Sequence, residues 1–195
     1  MKYDRIDNSL YIANRQKFAA QMAPNALAVF NSNDIYPVSA DSTLPFAQHR
    51  DILALSGVDQ EESILVLFPG ASNPAHKEVL FLKETSELIA IWEGAKLTKG
   101  QAFATSGVKT VYWNSEFEKV FQSLMSEAET VFYNSNEHSR ATSEVETQSD
   151  RFNNWCRDNY SDKNYVKSAP VLHELRSVKH PIEIDLLQQA CNITE

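Results

Sequence analysis

TVYWNSEFEKVFQSLMSEAETVFY, residues 110–133, reads as a strand, a helix and a second strand in succession. Thr110–Trp113 is short, β-branched and aromatic, the composition that suits a pleated, half-buried surface. From Ser115 the period changes. Phe117, Val120, Phe121, Leu124 and Met125 recur at three- and four-residue spacing and share one face of a helix over 115–125. Ser115 and Glu118 stand where a capping box would form. Thr130–Tyr133 then returns to strand composition. A strand–helix–strand unit lays its helix across a sheet, so the fold class is α/β, a sheet with covering helices.

Outward from this unit, apolar runs mark further strands. Ile64–Phe68 lies between Glu62-Ser63 and Pro69-Gly70, the pattern of a central strand. Ala26–Phe30 reads as a buried strand. Glu78–Leu82 and Leu88–Trp92 repeat the form across a polar turn over 83–87, and with 64–68 they predict an antiparallel meander. Ser9–Met22 reads as a helix, with Ser9 as its cap and Phe18 and Met22 one turn apart. Asn31–Pro45 is rich in Asn, Ser, Asp and Pro and reads as a loop. Asp51–Leu55 is apolar, short and closed by Gly57, which leaves helix and strand both open. Thr98–Ser106 is a short helix ending at Gly107. Val145–Cys156 is another, with Val145, Phe152 and Trp155 or Cys156 inward. At the end, Pro181 starts a helix whose Ile182, Leu186, Ala190 and Ile193 form a stripe widened by Leu187 and Cys191. The stripe runs on with no Gly or Pro to stop it, as the opening of a second domain would.

Composition bounds the function. The 195 residues carry a net charge of -8, from 26 acidic and 18 basic side chains. An acidic surface repels phosphate backbones, and no basic patch offsets it, so nucleic acid is not expected as a partner. No apolar run approaches the roughly 20 residues of a membrane span, and Met1–Leu10 is too polar for a signal peptide. Cys156 and Cys191 each sit in an apolar helical pattern and are expected as buried thiols, not a bridge. Together these features place the chain in a reducing cytoplasm.

The residues of familiar chemistries are missing. Gly57, Gly70, Gly94, Gly100 and Gly107 form neither a dinucleotide fingerprint nor a phosphate loop. His49, His76, His138, His173 and His180 lack the helical spacing of a zinc-peptidase pair, and Glu137-His138 and His173-Glu174 are adjacent pairs that do not face one another on a helix. No serine lies in a G-x-S-x-G elbow. No cofactor or metal site is expected in this chain, and no catalytic set is evident.

PFAQHRDILALSG, residues 45–57, resembles the signature of the aminopeptidase P N-terminal domain, with its Pro, aromatic, Gln, Asp, apolar run and Ser-Gly close. Ile91-Trp92-Glu93-Gly94 with Lys96-Leu97-Thr98, and Ser106-Gly107-Val108 leading to Val111-Tyr112, resemble the next two blocks of that family. Leu175–Ile184 resembles the junction at which the N-terminal domain passes to a pita-bread catalytic domain. The similarity extends over nearly the whole chain, and the order and spacing of the motifs make it specific.

The resemblance implies a mixed sheet, antiparallel and parallel, flanked by helices, as in the N-terminal domains of creatinase and prolidase. It implies a domain over residues 1–172, with 173–195 as linker and first helix of a catalytic domain that the chain does not include. The complete enzyme would release the first residue of peptides with proline second. It would use two divalent metals, usually manganese, which activate a bridging water. Their ligands would lie beyond Glu195. Partners implied are the chain's own catalytic domain, further copies in a homo-oligomer, and peptide substrate in the full-length enzyme. Gln48, His49, Arg50 and Asp51 are the segment implied in substrate access or subunit contact. The chain departs from the signature at Ala47, where Arg is usual, and at Leu53 and Ala54, where aromatics are usual. Those changes remove a planar cation and two stacking faces. Gln48, Asp51 and Trp92 are therefore read first as loop bracing and core packing, and second as substrate contacts. Two other readings share the fold: a peptide- or protein-binding module of a catalytically inactive relative, and the N-terminal domain of a prolidase or creatinase.

Overall fold

The computed structural model describes residues 5–135 and 144–194, so Glu137-His138 lies outside the described residues. The chain runs α1 (Ser9–Ala19), β1 (Ala26–Asn31), β2 (Pro37–Ser39), β3 (Ser42–Thr43), α2 (Arg50–Ser56), β4 (Ile64–Leu67), β5 (Glu78–Leu82), α3 (Glu87–Glu93), α4 (Lys99–Ser106) and β6 (Thr110–Trp113). It continues through α5 (Phe117–Glu127), β7 (Thr130–Tyr133), α6 (Gln148–Asn159), β8 (Asn164–Lys167), α7 (Ala169–Ser177) and α8 (Pro181–Thr194). Six strands form one mixed sheet in the order β6-β5-β4-β1-β7-β8. β4 is antiparallel to both its neighbours, and the other pairings are parallel.

Alternation along the central strands divides the core in two. Ala28 and Phe30 of β1, Leu65 and Leu67 of β4, and Leu80 and Leu82 of β5 face one layer, closed by Phe18, Ile52, Leu55, Ala102 and Leu172 from α1, α2, α4 and α7. Leu27, Val29, Val66, Val79 and Phe81 face the other, closed by α5 and α6 through Phe121, Leu124, Met125, Phe152 and Cys156. Both faces are covered, which is why these strands read as continuous apolar runs.

One buried cation ties the first layer together. Arg15 of α1 is wholly buried. Its Nη1 donates to Leu55 O at 2.8 Å and Ser106 O at 2.9 Å, the ends of α2 and α4, and its Nη2 meets Glu78 Oε2 at 3.0 Å. Those two helices end alike. Ser56 and Ser106 each donate to the carbonyl four residues back and accept from the N–H two residues on. Gly57 and Gly107 follow in the left-handed region, φ 68° and 74°, where a side chain is strained. Guanidinium is suited to this place because carbonyls at a helix C-terminus carry partial negative charge. Burial pulls the Arg15 guanidinium below its ordinary pKa, and the Glu78 charge pulls it back.

Several expectations are corrected. Leu88–Trp92 is not a strand of a meander. It is the body of α3, capped by Ser86 accepting from Ile89 N, and none of its residues is buried. Trp92 is 81% exposed and does not pack in the core. The 31–45 segment holds the small β2–β3 hairpin. Asp51–Leu55 is helical, within α2. The first helix stops at Ala19, and its start is held by Asp7 Oδ1 accepting from Ser9 N, not by Ser9 as a cap. The box expected at Ser115 and Glu118 is replaced: Glu116 accepts from Trp113 N at 3.1 Å, and Ser115 donates to Glu84. Val145 is exposed outside α6, which begins from Thr147. Cys156 is buried as expected, but Cys191 is exposed, because no residue of α8 is buried. No helix among the described residues is long and apolar enough to cross a membrane.

Candidate functional site

Gln48 is buried and acts as a brace. Its amide nitrogen donates to Val58 O at 3.0 Å, Gln60 O at 2.9 Å and Ser63 Oγ at 3.2 Å, and its Oε1 accepts from His49 N. These bonds fix the entry of α2. His49 caps that helix, with Nδ1 accepting from Asp51 N at 3.3 Å. Asp51 receives Arg176 of α7 at 2.9 Å, and its other oxygen stands 3.8 Å from His49 Nδ1. Asn134, just past β7, reaches His49 Nδ1 at 3.1 Å. Burial holds the His49 imidazole below its ordinary pKa; Asp51 pulls it up and Arg176 pushes it down. Arg50 is exposed.

Gln48, His49, Arg50, Asp51 and Arg176 line one open cleft of about 790 Å³. The fold explains its place. β1, β7 and β8 are parallel neighbours ending at Asn31, Tyr133 and Lys167. Asn33, Ser135 and Ala169, each two positions beyond a strand end, line the floor. Carboxyl ends of parallel strands are where open α/β sheets form ligand crevices. Ser149 and Thr147 at the start of α6 form one wall, and His173 and Arg176 of α7 another. The segment 48–51 read from sequence is thus brought together with residues about 85 and 125 positions away. The α6 and α7 contributors had no sequence signal beyond the Leu175–Ile184 junction motif, because only the parallel pairing of β7 and β8 delivers them.

The fold defines a small α/β domain with a mixed sheet, a cleft at its parallel strand ends and an exposed terminal helix. Comparison with known proteins supplies the family. Residues 11–133 match the model of the aminopeptidase P N-terminal domain, and the chain belongs to that family. It is 29% identical to human Xaa-Pro aminopeptidase 3 over 89% of this chain and 34% of that protein. It is 28% identical to the Escherichia coli Xaa-Pro aminopeptidase over 92% of this chain and 41% of that one. Among solved structures, zinc-substituted E. coli aminopeptidase P in complex with product aligns at TM-score 0.78 and 25% identity, over 98% of this chain and 43% of that one. A putative aminopeptidase P from Bacillus anthracis aligns at TM-score 0.84 and 19% identity, over 94% and 43%, which speaks to the fold. The chain therefore spans well under half the length of these relatives.

Proposed function

We propose that this chain is the non-catalytic N-terminal domain of a metal-dependent Xaa-Pro aminopeptidase, serving oligomer assembly and access to the active site. The observation that carries this reading is a complete two-layer core beside two uncovered apolar faces. Leu88, Ile91 and Trp92 of α3 and Ile184, Leu187 and Ile193 of α8 are all exposed. Burying one such side chain is worth about 1.5–3 kcal/mol, so both faces favour a covering partner. In this reading α8 meets the catalytic domain, α3 and the 48–51 segment meet a neighbouring subunit, and the whole enzyme works in the cytoplasm.

The two metals, usually manganese, belong to the catalytic domain in this reading. The side chains described here do not fit such a centre. No three His, Cys, Asp or Glu among the described residues cluster to hold an ion. The less exposed carboxylates already face cations: Asp51 meets Arg176, Glu61 meets Lys96, and Glu78 meets Arg15. The test is an assay of the 195-residue chain with manganese and a peptide carrying proline second, beside the same chain joined to its downstream sequence. Turnover is expected only in the longer protein. Turnover by the short chain that a point change within it abolishes would overturn the assignment.

A further inference from the structure

We propose that a second pocket, at the end of the sheet where β1 and β6 finish and β4 begins, binds a small organic ammonium ion, the protonated amine of a short alkylamine. This pocket of about 400 Å³ shares only Asn33 with the cleft above, among the described residues. The inference goes beyond the positioning role and needs no catalytic domain.

Two amide oxygens carry it. Asn31, the last residue of β1, is 2% exposed, and its Oδ1 meets no donor among the described residues. Asn114, directly after β6, donates through Nδ2 to Glu62 O at 2.7 Å, so its oxygen is the end left over. That Oδ1 is likewise buried with no donor among the described residues. Both residues line the pocket. A buried acceptor without a donor is costly, so a ligand that brings N–H groups is favoured there.

Charge selects a cationic donor. Asp34, Glu61 and Glu62 line the pocket, and no Lys, Arg or His does among the described residues. Each acid meets a cation rooted outside the lining: Arg151, Lys96 and Lys83. Lys83 is divided between Glu62 and Glu93, at 3.1 and 2.8 Å, which leaves the acids in excess. The helix starts nearby are already answered. Asp34 accepts from Gln148 N at the start of α6, and Glu116 accepts from Trp113 N ahead of α5. An ammonium presents three N–H donors on one charge and suits acceptors that converge from different elements. A metal ion suits the pocket less well, since no three His, Cys, Asp or Glu among the described residues cluster to hold one. Ile35, Ile64 and Phe117 complete the wall and fit an alkyl stem.

The test is amide NMR of the isotope-labelled 195-residue chain titrated with butylammonium chloride. Tetramethylammonium, calcium and sodium chlorides at matched ionic strength form the other arms. Saturable shifts at 31–35, 61–64 and 114–117 are expected with butylammonium. Tetramethylammonium, which has the charge but no N–H, should bind at least about tenfold more weakly, the loss of one charge-assisted hydrogen bond. Asn31→Leu replaces the unpaired amide by an apolar group of similar shape. Its thermal midpoint should hold or rise while binding weakens about tenfold. Asn114→Ala, at a half-buried position, should weaken binding severalfold and tests the same acceptors if Asn31→Leu folds poorly. Equal binding of tetramethylammonium, or tighter binding of calcium, would overturn the proposal. So would shifts that sodium reproduces, that never saturate, or that both variants leave unchanged.

Discussion

Replacing Arg15 by Met should destabilise the domain more than any change on its surface. The side chain is wholly buried and holds two helix-end carbonyls and one carboxylate, at 2.8, 2.9 and 3.0 Å. Met fills most of the volume but donates nothing. Leu55 O and Ser106 O would then be buried without their donor, at about 1–3 kcal/mol each. The Glu78 carboxylate left behind is 35% exposed and keeps its water, so the lost ion pair adds little to this. For a chain of this size each kcal/mol lowers the melting midpoint by about 2–4 °C, so the two orphaned carbonyls together should lower it by roughly 4–24 °C. Lys in the same place keeps the charge but not the fork and should lose an intermediate amount. Glu78→Gln should cost much less, because that carboxylate side chain is 35% exposed and water screens its pair. Urea and thermal unfolding followed by circular dichroism measure all three. A loss below about 1 kcal/mol for Arg15→Met would show that water or backbone movement satisfies the helix ends without the guanidinium. A loss for Glu78→Gln equal to that for Arg15→Met would show that the ion pair, not the carbonyl clamp, is what Arg15 provides.

Three further outcomes are expected. Gly57→Ala places a Cβ 2.2 Å from the Tyr11 ring at φ 68° and should cost more than about 1 kcal/mol, whereas Gly100→Ala, with open space at a helical position, should stabilise by about 0.4–1 kcal/mol; an unfolding midpoint raised by the first or lowered by the second would contradict that prediction. His49 has a folded pKa below its ordinary 6.5, so the unfolded chain binds its proton first and stability is lost as pH falls below that value. His49→Gln should flatten this part of the stability–pH curve, and a slope unchanged in the variant would assign it to other groups. Burial pushes the Cys156 thiol up to about 12 while Cys191 is exposed, so a thiol reagent should label one cysteine in the native chain and two in urea.

Read alone, the sequence determined what local pattern and burial dictate together. The runs at 26–30, 64–68 and 78–82 are strands because both their faces are covered, and the 3.6-residue stripe of Phe121, Leu124 and Met125 closes one layer. That Gly57 and Gly107 close their segments was equally legible, though their left-handed backbone was not, and the reading of Gln48 as a brace agrees with its buried, hydrogen-bonded amide. Tertiary structure decided the rest. Leu88–Trp92 has the composition of a strand, but both sides of β5 are taken by β4 and β6, and the unpaired segment satisfies its backbone locally, as a capped helix. β8 has the opposite history: Asn164–Lys167 carries little apolar signal and is a strand only because β7 presents free backbone groups alongside it. Arg15 gave no sign of burial, since its partners are carbonyls that exist only once α2 and α4 end beside it. The cleft likewise has no continuous signature. Its residues, from Asn33 to Arg176, become neighbours because parallel strands must all end on the same side of a sheet, and the helices that follow them begin there.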